Sequence, residues 1–174
     1  FINNSMILKN FEISKINLDK HKNFLFYGKN NGLINEIVKE KFKKKFKKNI
    51  YNYDENDILN SKDNFYNQIL NTSFFENEKL IIISRVTNKI AELIQEIIEK
   101  KINDITIILI ADQFDKKSKL RKFFENSKEA VCIAFYPDTE VTLSKIAFEF
   151  FTKKKITISR QNINFIISKC NYDR

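Results

Sequence analysis

Five short apolar runs, each followed by a stretch of helical periodicity, set the tightest limit on how this chain can fold. They are NFLFYG (23–28), NIYNYD (49–54), KLIIIS (79–84), ITIILIA (105–111) and AVCIAF (130–135). The third and fourth are apolar almost throughout rather than at alternate positions. That character fits strands covered on both faces. Strand–helix alternation of this kind predicts an α/β fold, with a parallel five-stranded sheet flanked by helices on both sides.

The intervening stretches carry the helical signal. Leu33, Ile34, Ile37, Val38, Phe42 and Phe46 predict an amphipathic helix over 31–48. Its other face holds Lys39, Lys41, Lys43, Lys44, Lys45, Lys47 and Lys48. A solvated face accounts for such a run, and a nucleic-acid patch is the alternative. Asp54 turns the second strand into a helix through Ile58, Phe65 and Ile69. Ile90, Leu93, Ile94, Ile97 and Ile98 mark another, and Leu120, Phe123 and Phe124 a third from about Lys116. The pattern changes at Pro137, the only proline. Residues 138–152 and 160–170 then read as two helices, with Ser159 as an N-cap. A boundary is expected here: residues 1–136 form one domain and 137–174 the incomplete start of a second, too short to bury a core alone.

Composition narrows the function less than it first suggests. The net charge of +9 invites an acidic partner. Yet the chain is crowded with Lys, Asn, Ile and Phe and has 2 Gly, 1 Pro and no Trp. AT-rich coding produces that bias, so charge alone points only weakly to nucleic acid. Cys132 and Cys170 stand far apart with no ligand-spaced partners, which excludes the usual zinc patterns and suggests reduced core cysteines of a cytoplasmic protein. His21, the only histidine, has no nucleophile placed to form a triad with it. No apolar run approaches the roughly 18 residues of a membrane span. The opening FINNS is not an apolar signal segment; Met6 is a candidate start, with residues 1–5 an upstream extension.

The turn after the first strand, FLFYGKNNGL, resembles the start of a phosphate-binding loop. Such a loop reads G-x-x-x-x-G-K-[ST], so that backbone N–H groups wrap the phosphates, Lys reaches the outer ones and the hydroxyl holds Mg²⁺. Counted from Gly28, those positions hold Leu33, Ile34 and Asn35. Lys29 comes too early, and Gly28 and Gly32 read as turn residues. The third strand, where a metal-holding carboxylate is expected, ends in Ser84-Arg85. The fourth ends in Asp112, which by itself reads as a turn or cap residue. The sheet of a nucleotide-binding protein is indicated, without its catalytic groups.

Four segments, FLFYGKNNGLINEIVKE, NTSFFENEKLIIISRVTNK, DKKSKLRKFFEN and KKKITISRQNINFIISKCNYDR, in this order and spacing, resemble the delta-subunit family of the bacterial DNA polymerase III clamp loader. The resemblance covers nearly the whole chain from about Met6. It implies an AAA+ fold with strand order 5-1-4-3-2, a degenerate phosphate loop at Gly28, Lys29 and Gly32, no ATP hydrolysis and no cofactor. It implies an N-terminal fragment that runs into a small helical lid domain. The partners it implies are the sliding clamp (beta subunit), the gamma/tau and delta-prime subunits, and primed DNA within the loader. Ser73, Phe74 and Phe75 match the family's clamp-binding element, with Phe74 where Leu is more usual. Two adjacent aromatics in a polar stretch suit a partner's pockets, each contributing about 1.5–3 kcal/mol on burial. From the residues alone, Phe75 packing beneath the sheet and Phe74 left exposed is the alternative. Two other functions stay open: a divergent ATPase using Lys29 and Asp112, and a basic nucleic-acid-binding domain.

Overall fold

The computed structural model describes residues 6–9, 12–13, 16–47, 49–70, 78–102, 104–170 and 174. The strands are β1 (Met6–Lys9), β2 (Asn23–Gly28), β3 (Ile50–Asp54), β4 (Lys79–Ser84), β5 (Ile105–Ala111) and β6 (Ala130–Phe135). The helices are α1 (Asn31–Ile37), α2 (Lys44–Phe46), α3 (Glu55–Asn60), α4 (Lys62–Leu70), α5 (Ala91–Glu99), α6 (Lys119–Asn126), α7 (Glu140–Lys153) and α8 (Arg160–Lys169).

The strands form one sheet in the order β1-β6-β2-β5-β4-β3, and every pairing is parallel. The five expected strands lie in the expected order, and a sixth, β1, adds to the edge beside β6 with Met6 opposite Val131. Its run of four residues, MILK, is short and ends in Lys9, so it does not stand out in the sequence.

Each buried strand feeds two cores, because successive side chains point to opposite faces. Leu25, Ile81, Ile83, Ile107, Leu109 and Cys132 pack on one face with residues of α3, α4, α5 and α6. Phe24, Phe26, Leu80, Ile82, Ile108, Val131 and Ile133 pack on the other against Ile34, Ile37, Val38, Phe42 and Phe46. The continuous apolar runs are thus two alternating sets read as one.

The first helix differs from a plain α-helix in an informative way. Between α1 and α2, Val38–Lys43 is π-helical. Ile34, Val38, Phe42 and Phe46 are spaced by four, and that spacing overshoots a 3.6-residue turn by about 40° per step. The wider turn returns Phe42 and Phe46 to the sheet. Phe42 meets the rings of Phe24 at 4.9 Å and Phe26 at 5.8 Å, in edge-to-face arrangements.

The expected helix after β3 is two helices. Asp54 caps α3, its Oδ1 accepting the Asn56 N–H, and Ser61 separates α3 from α4. Ser118, rather than Lys116, marks the start of α6: its Oγ accepts the Arg121 N–H. Ser159 caps α8 as expected, accepting the Asn162 N–H. Helices α7 and α8 share a small cluster of their own, Leu143, Ile163 and Ile167.

One buried carboxylate ties two crossovers together. Glu55, buried at the start of α3, accepts from the Thr87 N–H at 2.7 Å and the Thr87 Oγ1–H at 2.8 Å. Glu55→Ala leaves both donors without that acceptor, and the expected loss is about 1–3 kcal/mol. Urea unfolding with an unchanged midpoint would show that the pairing does not support the fold.

Candidate functional site

In an open parallel sheet the carboxyl ends of the strands are where ligands bind, at the point where the connections reverse direction. Here that point is β2, which lies between β5 and β6. From β2 the chain crosses along the Phe42 face to β3; the later crossovers return along the other face. The turn after β2 therefore faces the turns after β5 and β6.

Gly28 ends β2 at φ +131°, a conformation that side chains disfavour, and a Cβ there would collide with the Phe135 carbonyl. It is required for the close passage of β2 beside the end of β6. Gly32 has ordinary helical backbone; a Cβ there would lie 3.0 Å from the Arg174 carbonyl oxygen. Lys29, between them, is exposed.

Asn30 organises the turn. It is buried, and its Oδ1 accepts the Leu33 N–H at 3.0 Å as the N-cap of α1. Its Nδ2 donates to the Tyr136 carbonyl at 3.0 Å and to Asp138 Oδ2 at 2.9 Å. The Asn31 N–H donates to the Lys29 carbonyl and the Ile34 N–H to the Asn30 carbonyl. Several donors that a phosphate loop offers to its ligand are thus bonded within the protein. The Asp138 carboxylate lies by the start of α1, where the helix dipole favours negative charge, and Arg174 Nε sits 3.3 Å from it.

The tip of β4 carries Ser84 and Arg85, and Arg85 pairs with Asp54 at the tip of β3. Asp112 is exposed just beyond β5. Among the described residues no group of three His, Cys, Asp or Glu side chains is placed to hold a metal. No helix among them is long and apolar enough to cross a membrane.

Between the turns lies a cavity of about 350 Å³, walled by Tyr27, Phe114, Arg121, Tyr136 and Pro137 and rimmed by Lys29 and Lys116. Asp112 is not among its walls. The Arg121 guanidinium lies over the Tyr27 ring at 4.9 Å and is held by Glu125 at 2.7 Å and the Phe114 carbonyl at 3.0 Å. Burial pushes the Tyr27 hydroxyl up to about 12.

The structure therefore gathers Gly28, Lys29 and Gly32 at one sheet end and leaves Asp112 outside the cavity. Ser73, Phe74 and Phe75 lie outside the described residues. Asn30, Tyr136 and Asp138 escaped the sequence reading, and Arg121 entered it only as part of the DKKSKLRKFFEN segment; Asn30, directly before a helical pattern, carried a local signal, that of an N-cap. The cysteines divide. Cys132 is buried on β6, and burial pushes its thiol up to about 12. Cys170, expected in a core, is exposed one residue past α8, because the buried face of that helix runs through Ile163 and Ile167.

A parallel sheet in this order, with helices on both faces and a turn-to-helix crevice at β2, defines an AAA+-like α/β domain. The sequence over residues 24–135 matches the family described as DNA polymerase III, delta subunit, and the chain belongs to that family. Among solved structures it is similar to the Bacillus subtilis DNA clamp loader delta protein, with a TM-score of 0.57 and 18% identity over 91% of this chain and 51% of that one. It is also similar to a Walker-type ATPase of Pyrococcus abyssi, with a TM-score of 0.50 and 9% identity over 91% of this chain and 61% of that one. At these identities the likeness establishes the fold. The chain spans about half the length of the B. subtilis protein. No match is found among curated protein sequences.

Two outcomes follow from this geometry. Gly28→Ala is expected to destabilise the protein by at least about 2 kcal/mol, through backbone strain and collision with Phe135; an unchanged denaturation midpoint would contradict it. A thiol reagent should label one cysteine of the native chain, Cys170, and reach Cys132 only after unfolding. Mass spectrometry of the labelled peptides checks this, and rapid native labelling of Cys132 would refute it.

Proposed function

We propose that this chain is the clamp-opening delta subunit of a DNA polymerase III clamp loader, acting by protein binding and without ATP hydrolysis of its own. The observation that carries the reading is the family match over residues 24–135. Ser73, Phe74 and Phe75 are the clamp-binding element. They lie on the connection between α4 and β4, and the apolar pair supplies the buried anchors that such contacts use. The partners are the sliding clamp, the gamma/tau and delta-prime subunits and primed DNA, in the cytoplasm.

The non-catalytic assignment is supported by the turn after β2. The lysine and hydroxyl of a phosphate loop are replaced by Ile34 and Asn35. The Asn30 side chain takes up the Leu33 N–H, and the Asp138 carboxylate by the start of α1 would repel a phosphate. Arg85 stands where a metal-binding carboxylate is needed. Residues 137–174 are assigned as the start of the lid domain, which the separate α7–α8 cluster supports.

The test is titration of the chain with the sliding clamp of its own organism. Phe74→Ala with Phe75→Ala should weaken binding at least about 30-fold while thermal unfolding stays put. Equal binding by the folded double variant would sink the assignment of these residues. Binding of ATP that Lys29→Ala abolishes would instead favour a divergent ATPase.

A further inference from the structure

The cavity between the turns after β2, β5 and β6 is lined, among the described residues, by side chains that the clamp-binding assignment does not use. Its construction is specific. Tyr136 is 59% exposed; several rings of α7 and α8 are exposed too, but it alone of these borders the cavity. Its backbone is nevertheless fixed: the carbonyl accepts from the buried Asn30 at 3.0 Å, and Pro137 follows. The ring is thus held out to solvent on a rigid mount, which lowers the ordering cost of any contact it makes. The cavity it borders mixes the rings of Tyr27 and Phe114 with polar groups, and Arg121 is held there by Glu125 and the Phe114 carbonyl.

Lys29 and Lys116 stand on the rim, and both are exposed. Exposed Lys117, Lys119 and Lys122 continue the basic surface along the approach to α6 and its first turn. Asp115 also lines the rim and Asp112 lies nearby, so residues 112–122 carry five cations against two acids, while the Asp138 carboxylate past Pro137 is taken up by Asn30 and Arg174. An aromatic platform in a cavity of small-ligand size, flanked by cations along one side, is the arrangement by which proteins hold unpaired bases and their phosphates.

We propose that this cavity receives one unpaired base of a single-stranded nucleic acid, stacked on Tyr136, with Lys29 and Lys116 on the adjoining phosphates. An acidic protein segment could use the cations, but it would leave a rigid, solvent-facing ring with no flat partner.

Fluorescence anisotropy with a labelled oligothymidylate of about 12 nucleotides, at several salt concentrations, tests this. Tyr136→Ala should weaken binding about 5- to 100-fold, and Tyr136→Phe should retain it, because stacking needs the ring and not the hydroxyl. Lys29→Ala with Lys116→Ala should lower the slope of log affinity against log salt by about 1.4. Binding by wild type that Tyr136→Ala leaves unchanged would overturn the proposal, as would no binding at low salt. Clamp titration of the same variants separates the two readings. Clamp affinity lost in Tyr136→Ala, with no oligonucleotide bound by wild type, would assign the cavity to a protein partner. Clamp affinity lost only in the Phe74 and Phe75 variant, with oligonucleotide binding lost in Tyr136→Ala, is the expected pattern.

Discussion

Burial of the central strands on both faces is the constraint on which the rest of this protein depends. β2, β5 and β6 cannot face water on either side, so helices must cover both. A chain that crosses to β3 on one face and returns on the other satisfies this. The reversal falls at β2. It leaves three turns facing one another across the cavity, and the crevice follows from how the core is closed.

The same crevice is closed by bonds within the protein. Asn30 joins the start of α1 to the segment after β6, using an amide that bonds in three directions. Asp138 and Arg174 complete a polar cluster beside Gly32. These bonds hold the turn rigid with the protein's own groups, where a phosphate loop relies on its ligand. What such a turn presents is a surface set by internal bonds, with the exposed Tyr136 ring on it.

Much of the framework was legible along the chain. KLIIIS, ITIILIA and AVCIAF became β4, β5 and β6 without a shift of boundary, because a doubly buried strand leaves no room for polar residues. Gly28 was recognisable as a turn residue, but the reason it must be glycine lies more than a hundred residues away at Phe135. The π-helical turn at Val38–Lys43 was implicit in the four-residue apolar spacing, yet only the sheet beneath it rewards that geometry. β1 went unread because a four-residue edge strand is defined by its neighbour rather than by its own pattern.

The sequence by itself determined the class: which runs are strands, which stretches cover them, and that Leu33, Ile34 and Asn35 follow Gly28 at the counted positions. The family match rests on the sequence too. Tertiary structure alone decided which groups surround that turn. Nothing local links Asn30 to Tyr136 and Asp138, Arg85 to Asp54, or Arg121 to Tyr27. Those contacts exist because parallel crossovers bring distant strand ends to one edge of the sheet, and a contact made across a sheet leaves no periodicity in the chain.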